Sequence, residues 1–470
     1  MMKENHELAT LFEEFFKDKA VEIKALKAHA SPRKIYRILG SKYTAIGVQN
    51  SDVAENESFI YLSRHFRKHA LPVPEVYAAD PSGKFYIQED LGDSTLYDVL
   101  FEKRQDNNFF PLEVEALYNK AVSILPHFQI KASADIDYSN THSFKVFSSQ
   151  HMLADMEYFR VQYLDRVGFK YDSEQLQKDF KSLCNYLSGV DASYFMYRDF
   201  QSRNIMVKNG KLFFIDYQAG CQGALQYDIA SLLFQAQARI PCDARDRILG
   251  VYLNSLSKLI SIDKHKFLNY FYAFVVLRIM QVLGTYGLRG LQEGKQYFID
   301  SIQFALVNLR YVQRTQGLPV AMPEFEKFIN ELKNVDEEKL TLNIYSFSYK
   351  LAIETPLNQH GGGFVFDCRC LPNPGRQEQY KKLSGLDSNV IEFLNSQSDV
   401  QDYFKNITSV TDQAIDAYIK RKFLNLSVSF GCTGGQHRSV YLTEKLAKHV
   451  KEKFDINVHT HHLTKDLWVK

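Results

Sequence analysis

The feature that most constrains this 470-residue chain is one twenty-residue run, from Tyr197 to Asp216. Tyr197-Arg-Asp-Phe-Gln-Ser-Arg-Asn204 sets an amide five positions after a carboxylate. Leu212-Phe-Phe-Ile-Asp216 then reads as an apolar strand ending in a second carboxylate, twelve positions after the amide. These residue types suit phosphoryl transfer: Asp199 orients and deprotonates an acceptor hydroxyl, while Asn204 and Asp216 hold Mg²⁺ against the phosphates of ATP. Mg²⁺ takes oxygen ligands of this kind and fills its other positions with water and phosphate. Arg203 adds positive charge to the loop. The bland alternative, a helix-capping Asp and an unrelated strand-end Asp, is disfavoured by Arg198 before the first carboxylate and by the strand that delivers the second.

The surroundings have a definite order. Leu8, Leu11, Phe12, Phe15 and Phe16 recur at helical spacing. Lys34 to Leu39 and Tyr43 to Val48 flank a Gly40-Ser-Lys42 turn and read as a hairpin. A charged amphipathic helix over 52–69 and a Pro72-Val-Pro74 break follow, then a strand over 84–89 that ends in Asp90-Leu-Gly92. Helical patterns dominate 111–190 and resume after Asp216 to about Leu332. A polar stretch over 333–341 reads as a linker. Beyond it strands at 342–349, 363–369 and 426–430 alternate with helices, the last over 438–454, as in a compact α/β domain. The expected fold is an α+β, two-lobe, protein-kinase-like domain over 1–332 followed by a small α/β domain over 342–470.

Composition narrows the partners. The balance of 57 basic and 55 acidic residues gives a net charge of +2, so the whole molecule is no general polyanion binder. Six cysteines without a C-x-x-C pair exclude a disulfide scaffold and argue against structural zinc. Met1 to Ala20 is charged and has no apolar signal-peptide core. The most apolar later stretch, Phe267 to Leu277, is too short to span a bilayer and is followed by Arg278. A cytoplasmic protein without a membrane partner is expected.

Tyr197 to Val207, with Phe214-Ile-Asp-Tyr-Gln218 and Gln226-Tyr-Asp228, resembles the aminoglycoside phosphotransferase-like kinases over about residues 8–330. The likeness is greatest to the anomeric kinases of N-acetylmuramate and N-acetylglucosamine. It implies that Ser31-Pro-Arg-Lys-Ile-Tyr-Arg37 covers the ATP phosphates, with Lys34 and Arg37 among the nucleotide-binding residues. It also implies that the backbone around Glu89 and Leu91 holds adenine. His151, Asp155 and Glu157 are candidates for a polar helix face toward the acceptor, and Asp228 for a brace on the catalytic loop. Two departures stand out: Tyr197 replaces the usual His, and no Lys ends the second hairpin strand, where Val48-Gln49 stands. Glu57 is the helix Glu expected to pair with that missing Lys, for which Lys34, Arg37 or Lys42 would substitute.

A second motif, Gly431-Cys-Thr-Gly-Gly-Gln-His-Arg-Ser439, follows an apolar strand and opens a helix. Its glycines let backbone N–H groups converge, and the helix N-terminus and Arg438 supply positive charge, as in a phosphate cradle. The spacing Cys432-x₅-Arg438-Ser439 also fits a cysteine phosphatase, in which a thiolate attacks phosphorus. Glycines serving turn geometry alone are the third reading. With Phe366-Asp-Cys-Arg-Cys-Leu-Pro-Asn-Pro374 and Leu383-Ser-Gly-Leu-Asp387, the motif resembles the C-terminal domain of the RNase adaptor RapZ over about 342–470. That likeness implies a glucosamine-6-phosphate site and binding of small RNA. Thr433, Gly434, Gly435, Gln436, His437, Arg438 and Ser439 would hold the phosphate, and Asp367, Arg369 and Asn373 would complete the pocket, with His360 as a weaker addition. No P-loop occurs, unlike in RapZ itself. Residues 420–470 carry ten Lys/Arg against four acids, +6 locally, which is either an RNA-tracking face or a solvated basic surface.

The expected function is therefore an ATP- and Mg²⁺-dependent kinase. It would phosphorylate a hydroxyl of an amino sugar or related metabolite and carry a phosphosugar-sensing domain. The alternative is an RNA-binding, metabolite-sensing adaptor with an inactive kinase fold.

Overall fold

The computed structural model describes residues 3–26, 33–104, 110–332, 339–350, 363–421, 423 and 425–469. The chain divides into two compact units, one lying within 1–336 and the other chiefly within 337–470. The expected linker falls almost wholly outside the described residues, as does His360.

The first unit opens with α1 (Lys3–Phe16) and a five-stranded antiparallel sheet in the order β1-β2-β3-β5-β4. Its strands are β1 (Glu22–Ala25), β2 (Lys34–Leu39), β3 (Thr44–Gln49), β4 (Val76–Ala79) and β5 (Phe85–Glu89). The hairpin expected at 34–48 is present, with Lys34 opposite Gln49 and Leu39 opposite Thr44. Leu8 and Phe12 of α1 bury completely against Ile38, Ala45 and Ile87. Gly47 lies where α1 crosses the sheet, and a Cβ there would stand 3.0 Å from both Leu8 and Ile38. The edge strand β1 escapes sequence reading because it is only four residues long and mostly exposed.

Between β3 and β4 runs α2 (Val53–Lys68), capped by Asp52, whose carboxylate accepts the Glu55 N–H at 3.1 Å. The remainder of the unit is mainly helical: α3 (Leu96–Lys103), α4 (Leu112–Pro126), α5 (Ser149–Phe159), α6 (Ser173–Leu187), α7 (Leu225–Leu233), the part of α8 (Cys242–Leu256) from Ile248 onward, α9 (Lys264–Tyr286), α10 (Gln296–Gln316) and α11 (Pro323–Glu331). Between α6 and α7 lie two small sheets, β6 (Tyr194–Met196) with β9 (Cys221–Gly223) and β7 (Ile205–Lys208) with β8 (Lys211–Phe214). The loop from β6 to β7 carries Asp199, and the turn after β8 carries Asp216.

α9 continues in helical form to Gln292 and is long and apolar enough to cross a membrane, more than the sequence reading allowed. It is instead a core helix: Phe271, Ala273, Phe274, Val275, Val276, Leu277 and Met280 are almost fully buried, packed by α5, α7 and α10.

The second unit is a parallel four-stranded sheet in the order β11-β12-β10-β13. It is made of β10 (Thr341–Ser348), β11 (Gly363–Asp367), β12 (Asn425–Cys432) and β13 (Asn457–His462). All eight residues of β10 are buried, as a central parallel strand covered on both faces requires. The helices are α12 (Ser388–Asn395), α13 (Ser398–Lys420) and α14 (Arg438–Lys453), with Leu442, Leu446 and Val450 of α14 buried in the core. β13 contains His459 and His461.

Candidate active site and candidate phosphate cradle

The segment from Tyr197 to Asn204 forms a loop between β6 and β7, and it is held from beneath. Asp228, fully buried on α7, accepts the backbone N–H of Tyr197 at 2.8 Å and of Arg198 at 2.9 Å, and the side-chain amide of Gln129 at 3.2 Å. Arg198 sits at φ 77°, a conformation that costs a non-glycine residue of the order of 1 kcal/mol. The Asp228 carboxylate holds that turn in place, the bracing role expected of it. The phenol of Tyr197 donates to the carbonyl of Ile215, tying this loop to the strand end that bears Asp216. This bond gives a physical reason for Tyr at the position.

With the loop fixed, Asp199 faces a cavity of about 490 Å³ lined by α7, α9 and the start of α10. Its carboxylate makes no hydrogen bond among the described residues. Burial pushes its pKa above the ordinary carboxylate value, with Asp216 adding to the shift and Arg278 and Arg198 opposing it. A carboxylate so placed has raised proton affinity and an open approach, as a general base needs.

The Asn204 side-chain amide donates to the Asp199 carbonyl at 2.8 Å and lies 3.4 Å from the Asp216 carboxylate. An amide and a carboxylate brought together in this way fit the all-oxygen donor set of Mg²⁺. Asp216 is at φ 69°, a second left-handed non-glycine turn at the site. It also accepts from Gln218 at 2.9 Å and from Arg33 at 2.6 Å.

Arg33 was not singled out in the sequence. It directly precedes β2, and its guanidinium lies between Asp216 and Glu55, 3.7 Å from the latter. It thus takes the pairing with an α2 glutamate that was expected of Lys34, Arg37 or Lys42. Its α2 partner is Glu55 instead of Glu57. Two residues on a helix differ by about 200° in direction, so the two glutamates cannot face the same way, and Glu57 is exposed. Neither Lys34 nor Arg37 fills the place. Lys34 is exposed, and Arg37 clamps Asp90 through bonds of 2.7 and 3.1 Å while also reaching Asp93. Lys42 is exposed in the hairpin turn. The Asp90 carbonyl accepts from Lys208 at 2.7 Å, and Lys208 lies 3.5 Å from Glu89, so the Glu89–Leu91 hinge is tied to β7.

Arg203 lies on the cavity wall between the rings of Tyr97 and Tyr297, at 4.0 and 4.7 Å from their centroids. Of the α5 candidates, His151 is a helix cap accepting the Ser148 N–H at 3.1 Å, and Glu157 pairs with Arg160 at 2.7 Å. Asp155 is buried, which raises its pKa, and it feels the charges of Arg198, Arg278 and Asp199.

In the second unit the motif 431–439 joins β12 to α14 at the carboxyl edge of the parallel sheet, the edge where open α/β sheets bind ligands. Its residues divide into two sets. Thr433 and Gly434 are exposed, and a Cβ on Gly434 would meet nothing within 4 Å. The others are committed to structure. The Gly435 N–H donates to the Cys432 sulfur at 3.2 Å, while its carbonyl accepts from Thr464 and Trp468, both at 3.0 Å. Gln436 donates to the Leu383 carbonyl at 2.8 Å, and His437 bonds the Tyr380 carbonyl at 2.9 Å. Arg438 is buried and donates to the carbonyls of Arg369 at 3.1 Å and Leu371 at 2.9 Å. Ser439 lies 3.1 Å from Cys432. Beside the exposed lip, Asp367 pairs with Arg369, which stacks 4.1 Å from the Tyr349 ring, and Asn373 caps the Pro374–Arg376 turn. A phosphatase would aim Arg438 at a phosphate above Cys432; here that guanidinium secures the neighbouring strand end.

The basic tail is partly neutralised within the unit. Asp412 takes both His449 at 3.0 Å and Lys453 at 2.8 Å, and Lys445 is 2.7 Å from Gln401.

Comparison with known proteins agrees with this division. The profile of the phosphotransferase enzyme family matches residues 22–261, about half of the chain. The profile of the RapZ C-terminal domain matches residues 340–466. The chain belongs to the phosphotransferase enzyme family and carries a RapZ C-terminal domain. Its kinase-like fold is that of a kinase-type phosphotransferase. Among curated relatives, a nucleotide-binding protein of Nitrosomonas europaea is 45% identical over 120 residues, which are 26% of this chain and 40% of that protein. One from Staphylococcus aureus strain Newman is 30% identical over 178 residues, 37% of this chain and 57% of that protein. The chain thus spans about half the length of the curated relatives it matches. Among solved structures, aminoglycoside phosphotransferase APH(4)-Ia has a TM-score of 0.44 at 16% identity, covering 66% of this chain and 99% of that one. Choline kinase LicA from Streptococcus pneumoniae has a TM-score of 0.45 at 14% identity, covering 65% and 99%.

Proposed function

We propose that the first unit transfers the γ-phosphate of ATP to a hydroxyl of a small acceptor of the amino-sugar class, and that the C-terminal domain binds a phosphorylated sugar. The observation that carries this reading is the Asp199 carboxylate, without a hydrogen bond among the described residues, open to a sugar-sized cavity and placed beside the Asn204–Asp216 pair. Asp199 takes the proton of the acceptor hydroxyl as its oxygen bonds to phosphorus and the bond to the ADP oxygen breaks. Asn204 and Asp216 would hold Mg²⁺, which neutralises charge on the β- and γ-phosphates. Arg33, backed by Glu55, supplies the cation for the phosphates in place of the strand Lys. Glu89 to Leu91 would offer backbone to adenine, and Arg37, which clamps Asp90, borders that region. Six free cysteines and the use of ATP fit a cytoplasmic setting.

In the second unit the exposed lip of Thr433 and Gly434, with Asp367, Arg369 and Asn373, would meet the sugar phosphate. The buried residues from Gly435 to Ser439 would shape the turn. RNA is the further partner of that domain in the alternative adaptor reading. One observation favours that reading: Arg33 occupies the same Asp216 carboxylate that the metal needs. The test is ADP release with Mg²⁺ and a panel of N-acetylglucosamine, N-acetylmuramate and aminoglycosides, with Asp199→Ala as control. Acceptor-dependent release lost in the variant supports the kinase. ATP binding that never requires Mg²⁺, with no release on any acceptor, supports the adaptor.

A further inference from the structure

The cavity before Asp199 has a charge pattern that the reaction itself does not require. Arg278 projects from α9, otherwise among the most apolar helices of the fold, and is only 5% exposed. Its guanidinium donates to Tyr227 at 3.0 Å, Gln281 at 2.7 Å and Ser231 at 2.9 Å, all neutral groups, and its Nε has no partner. Among the described residues no carboxylate pairs with it within 4.0 Å, although Asp199 and Asp155 are close enough to feel its charge. A buried guanidinium held only by neutral acceptors retains most of its field, which low-dielectric walls concentrate on the opening.

Arg203 adds a second guanidinium on the same wall. It is stacked between two tyrosines, and among the described residues its buried Nε has no hydrogen bond and no carboxylate pairs with it. Lys295 is a third lining cation, but Glu293 neutralises it at 2.8 Å. Asp199 is the acidic residue among the described residues that line the cavity. Tyr286, Tyr297, Phe234 and Phe298 supply apolar wall.

We propose that this cavity selects an acceptor bearing a fixed negative charge, a carboxylate or phosphate on a sugar-sized body, read by Arg203 and Arg278 while Asp199 takes the proton of a hydroxyl elsewhere on the same molecule. This deepens the phosphotransferase reading and rests on it for the role of Asp199. Guanidinium groups suit this task because their planar N–H forks match carboxylate and phosphate oxygens. A cationic acceptor would meet two guanidinium groups against the single lining carboxylate of Asp199 and be disfavoured.

The experiment is a calorimetric binding titration of the full chain, with turnover measured alongside. The neutral probe is N-acetylglucosamine, the carboxylate probe N-acetylmuramate, the phosphate probe N-acetylglucosamine 6-phosphate and the cationic probe glucosamine. At least one anionic probe is expected to bind roughly tenfold or more tighter than the neutral one, the scale of one charge-assisted bond, and glucosamine weakest; the stronger anion identifies the source of the charge. Arg203→Gln, whose side chain is only partly buried and should fold, is expected to bring that ratio near unity. Arg278→Gln should do the same if it folds. Anionic and neutral probes binding alike, or a preference that survives Arg203→Gln, overturns the proposal. Turnover of neutral or cationic sugars abolished by Asp199→Ala would overturn it while leaving the phosphotransferase reading intact. Selective anion binding without turnover of any probe would do the reverse.

Discussion

Arg33 offers the sharpest perturbation. Its guanidinium is 2.6 Å from Asp216 and 3.7 Å from Glu55, and it is the basic side chain that takes the pairing with an α2 glutamate expected of the strand Lys. If it grips the phosphates of ATP, replacement by Met removes one charge-assisted hydrogen bond worth about 1.5–3 kcal/mol. It also leaves Glu55 and Asp216 without the cation between them. Since 1.4 kcal/mol is a factor of ten, the Kd for MgATP should rise by roughly 10- to 150-fold. Adenosine has no phosphate, so its binding should stay within about twofold, because a contact confined to the phosphates carries no energy for a ligand without them. Fluorescence titration of both ligands against wild type and Arg33→Met gives the ratio. Arg33→Lys should recover part of the loss, since a point charge replaces a fork. Equal weakening of ATP and adenosine would show a merely structural role. Unchanged ATP affinity would refute the assignment outright.

Other consequences follow from the same geometry. Asp228→Ala leaves the backbone N–H groups of Tyr197 and Arg198 buried without an acceptor, each costing about 1–3 kcal/mol; the urea midpoint of the full chain should fall and turnover with it. Asp199 must be ionised to act as base, and burial raises its pKa, so activity should fall on the acid side at a pH above the ordinary carboxylate range. Arg278 opposes that shift, so in Arg278→Gln the acid limb of the pH–rate profile should move to still higher pH. In the second unit, a Cβ on Gly385 would strike the His437 carbonyl and stand 2.5 Å from the Tyr441 nitrogen, both backbone. Gly385→Ala should therefore push the 383–387 turn off the start of α14, at about 1–3 kcal/mol, seen as faster hydrogen exchange at 436–441 and weaker glucosamine 6-phosphate binding.

What the sequence disclosed and what it hid divide along a physical line. Asp199, Asn204 and Asp216 were legible because a loop and the strand after it fix their spacing locally. The hairpin and the strand–turn–helix junction at 431–439 were legible for the same reason. Arg33 and Asp216 are 183 positions apart, and no local pattern announces such a pair. The sequence points to Glu57, yet it is Glu55 that meets Arg33, because the helix face turned to the site depends on how α2 docks. Arg278 looked like the end of an apolar run, yet α9 continues past it and carries the charge into the interior. At 431–439 the glycines and Arg438 suggested one continuous cradle. Packing assigns Gly435 to Ser439 to holding neighbouring segments and leaves only Thr433 and Gly434 at the surface.

The central claim is that Asp199 is the base for transfer of the terminal phosphate of ATP to an acceptor hydroxyl. It is tested most directly by following γ-labelled ATP with Mg²⁺ and the sugar probes in wild type and Asp199→Asn, with nucleotide binding measured on both. The account predicts label on the acceptor in wild type and a loss of transfer of at least roughly 100-fold in the variant, within the range for general-base catalysis, with ATP affinity unchanged. Label transfer that persists in Asp199→Asn at the wild-type rate would contradict it.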